Sequence, residues 1–350
     1  MTQKNERTPD EYLAAFRADP TNAPLALYAG AALDKAGRHD EALAVWTFGD
    51  DANPALRTLH THPQADDELR SRSQRADEAI RQHFNDLHQK AINQYTDTVK
   101  NVDLNRVRRG VWTHYHDSPV NYLTDKQRPV IFYMPDLPAA PVIDNSLLPW
   151  ANSIEEAYKD ILQEYKEASK TNAAMEPYVP AGTPGTEWKK LSGTLDWSAI
   201  YLFYNASPTP NKDLFPKTID AANQADLLTK QGAPVELFFS RLTPGAHIPP
   251  HYGLTNTRLT VHLPIIVPED CAIRVGDEIY KWREGKIVAF DDSYEHEAWN
   301  RSTDERVVLI FETHHPDLSS TEKQAIQNIY ETFDTWVANR AETIGLAPKA

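Results

Sequence analysis

The spacing of hydrophobic and polar positions changes partway along this chain. Residues 66–98 contain neither Gly nor Pro, and Leu69, Ile80, Phe84 and Leu87 recur there at helical spacing. Such spacing gives a helix one apolar face and leaves the charged positions in solvent. From about Trp188 onward, short apolar runs alternate with turns rich in Pro, Gly, Asn and Asp. The pattern therefore predicts a helical region followed by a sheet domain.

Residues 8–55 predict further helices. The apolar run 24–33, the turn 37–40 and a second run 41–46 are spaced like one tetratricopeptide repeat, a helix–turn–helix unit of about 34 residues. Such a unit could dock a protein partner. The alternative is a helical cap packed on the main domain, because a single repeat cannot bury its own apolar face.

Five apolar runs predict strands in the second part of the chain, at 199–204, 235–240, 258–263, 286–290 and 306–311. Short strands at this spacing indicate a double-stranded β-helix, or jelly roll. Helices are expected over 153–169 and 320–340, and the proline-rich stretch 128–141 has the composition of an extended connector. We therefore predict an α+β chain, with a helical, tetratricopeptide-like region over residues 1–125 and a jelly-roll domain over 126–350.

Charge and composition narrow the class of protein. Asp and Glu number 50 against 36 Lys and Arg, a net charge of −14, which argues against nucleic acid or an anionic membrane as partner. No apolar run approaches the roughly 20 residues of a membrane-spanning helix, and the N-terminus lacks the apolar stretch of a secretory signal. Cys271 is the only cysteine, so an intrachain disulfide is excluded. We expect a cytoplasmic protein.

Two histidines and an arginine are the candidate chemistry. His251 follows a Pro-Gly turn, His296 follows a second turn, and Arg306 lies ten positions further on in an apolar run. Neutral imidazole suits Fe(II), and many oxygenases add one carboxylate to the two histidines; Gly253 stands where that carboxylate would be. The planar fork of Arg306 suits a carboxylate ligand, which Ser240 could share. From the residues alone, a sugar- or metal-binding jelly roll remains the alternative.

Two longer sequence motifs contain the two candidate histidines and are more specific than any single residue. They read Pro244-Gly245-x-His247-x-x-Pro250-His251-x-Gly253-x-Thr255-Asn256-x-Arg258-Leu259-x-x-His262-Leu263 and Trp282-x-x-Gly285-Lys286-x-x-x-Phe290-Asp291-Asp292-Ser293-x-Glu295-His296-Glu297-x-Trp299. With Ser240 before them and Arg306 and His315-Pro316 after them, this stretch closely resembles the aspartyl/asparaginyl β-hydroxylase family of Fe(II)- and 2-oxoglutarate-dependent dioxygenases.

For the metal, the resemblance implies Fe(II) held by His251 and His296. Gly253 matches a glycine that the family also carries, so the two histidines are the whole protein ligand set. Two alternatives stay open. The position at Gly253 could hold chloride, as in a two-histidine iron halogenase, or the protein could be a non-catalytic binding protein that docks a partner through its helices.

For the cosubstrate and the substrate, the resemblance assigns four residues. Ser240 and Arg306 match residues that hold the far carboxylate of 2-oxoglutarate, and His262 matches one beside its keto-acid end. Arg258 matches a substrate-carboxylate contact, but Thr260 stands where the animal enzymes have a second arginine. The expected reaction uses O2 and 2-oxoglutarate to hydroxylate a carbon of an amino-acid-type (aspartyl/asparaginyl-like) or peptidyl substrate.

Overall fold

A computed structural model describes residues 7–100, 102–116, 119–170 and 173–346. The chain forms two compact units. The first comprises the residues up to Arg108, the stretch 115–119 and the chain from Gln324 onward, and the second comprises Arg109–His114 and Val120–Lys323. The division after residue 125 stays a prediction.

The helices follow the predicted apolar periodicity. They are α1 (Pro9–Ala18), α2 (Ala23–Lys35), α3 (His39–Ala52), α4 (Ala55–Thr58), α5 (Asp67–Thr98), α6 (Asn105–Arg108), α7 (Ala151–Glu156), α8 (Tyr158–Lys170), α9 (Pro216–Ala222) and α10 (Ser320–Thr343). The side chains of Asn22 and Asp66 cap α2 and α5 by accepting backbone hydrogen bonds three residues on. The helices predicted over 8–55, 66–98 and 320–340 are confirmed. The prediction of one helix over 153–169 is wrong in one respect, because the chain forms two helices there, α7 and α8, with Ala157 between them. The tetratricopeptide repeat stays a prediction. In the part of the chain described, no helix is long and apolar enough to cross a membrane.

The strands all pair antiparallel. They are β1 (Val111–Trp112), β2 (Phe132–Tyr133), β3 (Val142–Ile143), β4 (Glu176–Pro177), β5 (Trp197–Tyr204), β6 (Ser207–Pro208), β7 (Thr229–Lys230), β8 (Ala233–Pro234), β9 (Glu236–Leu242), β10 (His247–His251), β11 (Arg258–Ile266), β12 (Cys271–Val275), β13 (Glu278–Tyr280), β14 (Val288–Phe290), β15 (His296–Asn300) and β16 (Arg306–His314). The larger sheet has the order β3-β14-β11-β16-β9-β5-β4, with β6 beside β5, and a smaller one has the order β10-β15-β12-β13. The prediction of an α+β chain is confirmed, and the structure shows that the sheets are antiparallel.

The larger sheet is apolar on both faces. On β9, Leu237 and Phe239 pack with residues of α7, α8 and α9, whereas Phe238 packs with residues of the smaller sheet such as Ile273 and Ala298. A strand buried on both faces reads as a continuous apolar run, which is why β9, β11 and β16 were recognisable in the sequence. The polar residues among them must therefore be accommodated between the two sheets.

The proline-rich stretch 128–141 also forms hydrogen bonds with the loop that follows His251. The backbone N–H groups of Val130 and Ile131 donate to the carbonyls of Gly253 and Leu254, each at 2.9 Å. Asn256 holds the backbone of Met134 through two hydrogen bonds of 2.8 Å, one donated and one accepted. The stretch is extended, as predicted, but it belongs to the second unit and fixes the loop that follows His251.

Candidate active site

A cavity of about 480 Å³ lies between the two sheets of the second unit. All six residues that the sequence suggested for the site line this cavity: Ser240, His251, Arg258, His262, His296 and Arg306. They come from β9, β10, β11, β15 and β16. Strands from both sheets thus bring together side chains that are far apart in the sequence. The role of each residue stays a prediction.

The two histidines face each other across neighbouring strands. His251 and His296 are register partners of β10 and β15, and their ring centroids lie 4.1 Å apart. The Nδ1 atoms bond to the carbonyls of Pro249 (2.8 Å) and Tyr294 (3.0 Å). A carbonyl only accepts, so Nδ1 carries the proton and Nε2 keeps its lone pair. Burial lowers the pKa of both rings to about 4, which leaves two neutral imidazoles suited to a metal ion.

Asp292 fills the space beside Gly253. A Cβ atom on Gly253 would lie 2.0 Å from Cγ of Asp292, so no larger residue fits unless that carboxylate moves. Thr260 Oγ1 donates to Asp292 Oδ2 at 3.2 Å, and burial raises the pKa of Asp292. In the sequence Asp292 stands in the turn before His296 and in the second resembling motif, but neither assigns it a place beside Gly253. Its placement depends on the folded loop, and no spacing in the sequence indicates it.

A metal ion in this cavity would have few protein ligands. Across the residues that the structure describes, no three His, Cys, Asp or Glu side chains are grouped so that they could hold a metal ion. The two neutral rings of His251 and His296 are therefore the ligand pair that the cavity offers. That these two histidines bind a metal ion stays a prediction.

Arg306 is a buried cation at one end of the cavity. Its Nη1 donates to the backbone oxygen and to Oγ of Ser240, both at 3.3 Å, and its guanidinium lies 5.0 Å from the ring of Trp282. Burial lowers its pKa to about 10. Within the described chain no carboxylate pairs with it, and Nε of Arg306, Nδ1 of His262 and Nε1 of Trp282 lack hydrogen-bond partners. Buried polar groups are normally paired, so this end suits an anionic ligand.

The opposite end of the cavity carries carboxylates. Arg258 Nη1 lies 2.8 Å from Glu312 Oε1, and Arg258 Nη2 lies 3.7 Å from Asp292 Oδ2. Burial raises the pKa of Glu312 to about 7 and also raises that of Glu236. Sequence reasoning missed both glutamates. The strand period of two would have indicated them, since Glu236 precedes Ser240 by four residues and Glu312 follows Arg306 by six.

The fold brings two histidines and a buried arginine into one cavity between antiparallel sheets. The family "Aspartyl/Asparaginyl beta-hydroxylase" matches residues 155–316, and this part of the chain belongs to that family.

Individual relatives were also found. The chain is 35% identical over 173 residues to "Ornithine lipid ester-linked acyl 2-hydroxylase" of Rhizobium tropici, a match that covers 48% of this chain and 58% of the relative, less than two thirds of its length. It is 28% identical over 263 residues to "Aspartate beta-hydroxylase domain-containing protein 2" of Xenopus tropicalis, and this match covers 72% of this chain and 69% of the relative. A Pseudomonas putida prolyl-4-hydroxylase structure has 14% identity and a TM-score of 0.31 over 47% of this chain and 98% of its own, which is too distant to bear on function.

Proposed function

We propose that this protein is an Fe(II)- and 2-oxoglutarate-dependent dioxygenase that hydroxylates a carbon of an amino-acid-type or peptidyl substrate. The observation that carries the proposal is Arg306. Its guanidinium is buried in the same cavity as two neutral histidines and has no carboxylate partner among the described residues. Burying a cation without a counter-charge costs several kcal/mol. A dianionic cosubstrate would offset that cost with its far carboxylate.

The residues at this end fit 2-oxoglutarate. Arg306 would bind the far carboxylate through its planar fork, which binds two oxygens at once. Ser240 would share that carboxylate, and its Oγ is already held by Trp197 Nε1 at 3.1 Å. His262 is buried beside Phe290, with ring centroids 5.0 Å apart, and would flank the keto-acid end. These positioned groups need little rearrangement on binding.

His251 and His296 would hold the iron through Nε2, because their Nδ1 protons are bonded to backbone carbonyls. Bound iron and 2-oxoglutarate together supply the oxidant that inserts one atom of O2 into a substrate C–H bond, with succinate and CO2 as the other products. The protein's own part is to orient the ligands and to exclude water. The walls of the cavity are suited to that task, since Phe238, Phe290 and Ile310 are buried there.

Hydroxylation is favoured over halogenation by Asp292. Its carboxyl group occupies the space next to Gly253, so that space is not free for a chloride ion. A non-catalytic binding protein is disfavoured by the unpaired polar atoms around Arg306, since a site without a ligand would gain stability by replacing them with apolar groups.

The Rhizobium relative is named for an acyl chain on an ornithine lipid, which places a lipid acyl carbon beside amino-acid and peptidyl carbons as a candidate. The N-terminal helices are proposed as a surface for a protein partner, or else as a cap.

Conversion of 2-oxoglutarate to succinate tests this proposal. The purified protein is incubated with Fe(II), 2-oxoglutarate and air, and succinate is quantified by mass spectrometry. We expect succinate from the natural protein and none above background from His296→Ala, because one histidine alone cannot retain the metal. His62→Ala is the control, since His62 is exposed. Undiminished succinate from His296→Ala would refute the proposal.

A further inference from the structure

The larger sheet gives the cavity two chemically different ends. On β16, Arg306 and Glu312 face the cavity and are six residues apart, which corresponds to roughly 20 Å along a strand. On β9, Ser240 lies opposite Val308 near the Arg306 end. The site for 2-oxoglutarate is therefore at one end, and whatever is oxidised must bind towards Glu312.

Two glutamates lie side by side at that substrate end. The register pairs Leu237 with Phe311, so the next residues, Glu236 and Glu312, are opposite each other on neighbouring strands. Both line the cavity. Like charges that are directly opposite on neighbouring strands destabilise a sheet. A cation between them would relieve that repulsion.

The cations already present do not balance these carboxylates. Among the described residues that line the substrate end, three carry carboxyl groups, namely Glu236, Asp292 and Glu312. Arg258 is the basic residue among the described lining residues at this end. Arg258 is engaged with Glu312 and Asp292. Thr260, which the resemblance compares with an arginine of the animal enzymes, adds no positive charge. This end is therefore less suited to a second acidic group than the family resemblance implies.

Unpaired carboxylate oxygens point to a missing ligand independently of the charge count. Glu312 is only 8% exposed, and its Oε2 atom has no hydrogen-bond partner, like Oδ1 of Asp292. Leaving such an acceptor buried and unpaired is unfavourable. An N–H donor on the substrate would satisfy it.

Aromatic side chains also line the cavity. Tyr178, Trp188 and Tyr252 line the cavity, and the ring of Trp188 lies 5.3 Å from that of His251. The faces of such rings attract cations, with Trp the strongest. Carboxylates combined with aromatic faces are the usual surroundings of an alkylammonium group.

We infer that the substrate end of the cavity binds a cationic group, an ammonium or guanidinium, between Glu236 and Glu312, so that the substrate is a positively charged amino-acid-type molecule and not an aspartyl side chain. That this group belongs to a substrate rests on the proposed dioxygenase function. The binding preference itself does not, because it follows from the charges of the cavity.

Three probes with the same pentyl chain test the preference: n-pentylammonium, 1-pentanol and hexanoate. Each is titrated into the protein by calorimetry, in the presence of 2-oxoglutarate so that hexanoate does not bind at Arg306. A hydrogen-bonded charge contributes about 1.5–3 kcal/mol, so we expect n-pentylammonium to bind about tenfold or more tightly than 1-pentanol. Hexanoate should bind no better than 1-pentanol.

Variants of the two glutamates test whether n-pentylammonium binds between them. Glu236→Gln, which removes a carboxylate that has no ion pair in the described chain, should reduce n-pentylammonium affinity about tenfold and leave 1-pentanol binding unchanged. Glu312→Gln should act in the same way and also improve hexanoate binding, since it releases Arg258 from an ion pair. Glu269→Gln is the control because Glu269 is exposed. Melting temperatures establish that each variant is folded.

The outcomes separate this inference from the proposed function. Equal binding of n-pentylammonium and 1-pentanol, or tighter binding of hexanoate, overturns the inference even when the protein forms succinate. Selective binding of n-pentylammonium that is lost in Glu236→Gln supports the inference, and absence of succinate formation in the same preparation would then count against the dioxygenase proposal alone.

Discussion

The position of the Asp292 side chain explains why a glycine, Gly253, stands two positions after His251. A facial triad needs a carboxylate at that place, and from the sequence the glycine looks like a vacancy. In the folded protein the Asp292 carboxylate lies there, 2.0 Å from where a Cβ atom would be. The glycine is therefore required for space, and its backbone angles do not require it.

Replacing Gly253 by Asp tests this explanation. An added side chain must displace Asp292, and it would place a second carboxylate in a buried position. We expect Gly253→Asp to lower the free energy of unfolding by about 1–3 kcal/mol, as for other overpacked sites, and to reduce succinate formation. Urea denaturation measures the first effect.

A double variant provides the control for Gly253→Asp. Removing the obstructing side chain in Gly253→Asp/Asp292→Gly should recover most of the lost stability, because neighbouring residues that compete for one space are coupled. If Gly253→Asp is as stable as the natural protein, the space beside His251 is open and the explanation is wrong.

At the scale of elements, the long buried strands were predictable and the contacts of the proline-rich stretch were not. Strands β9, β11 and β16 are buried on both faces, so each has a strong apolar signal. The stretch 128–141 has the composition of a connector, yet it is bonded to the loop at 253–256. Backbone hydrogen bonds leave no trace in the residue pattern, which is why this contact appears only in the structure.

Asn256 is the residue that tests the importance of this contact. It is 1% exposed and donates to and accepts from the backbone of Met134. Asn256→Ala removes both bonds and leaves a buried N–H and carbonyl unpaired, so we expect a loss of about 1–3 kcal/mol of stability. Amide hydrogen exchange at Met134 should become faster.

The control for this change is Asn223→Ala, because Asn223 is exposed. A loss of stability in Asn256→Ala no larger than in Asn223→Ala would mean that the proline-rich stretch is held by other contacts. Slower succinate formation in Asn256→Ala would indicate that the stretch also positions the loop after His251.

For the whole molecule, the sequence revealed one end of the cavity better than the other. His251, His296 and Arg306 stand in strings specific enough to be recognised. The strand period of two indicates that Glu236 and Glu312 face the cavity, but it does not indicate that they are neighbours, because their proximity depends on the register between β9 and β16. Long-range register is set by packing of both faces of the sheet, and a single sequence does not contain that information in a local pattern.

Buried histidines lower the stability of the fold at acidic pH. His88, which is not among the residues that line the cavity, is an example. Its Nε2 bonds to the carbonyl of Val107 at 2.9 Å, and burial lowers its pKa to about 4. Between pH 6.5 and about 4 the unfolded chain therefore binds a proton that the folded protein does not. Stability rises with pH wherever the unfolded state binds more protons, so His88 favours unfolding as the pH falls through this range.

The variant His88→Gln removes this proton-linked loss and keeps an N–H donor for Val107. Each unit of pKa shift corresponds to about 1.4 kcal/mol, so the stability lost between pH 7 and 4.5 should be smaller by roughly 2 kcal/mol in His88→Gln than in the natural protein. Urea unfolding at the two pH values, followed by the circular dichroism of the helices, measures the difference.

Asp291 and Glu312, whose pKa values burial raises to about 7, act in the opposite direction. Both residues are present in the two proteins, so their contributions cancel in the comparison. An equal loss in the two proteins would mean that His88 is protonated in the folded state, with its imidazole open to water.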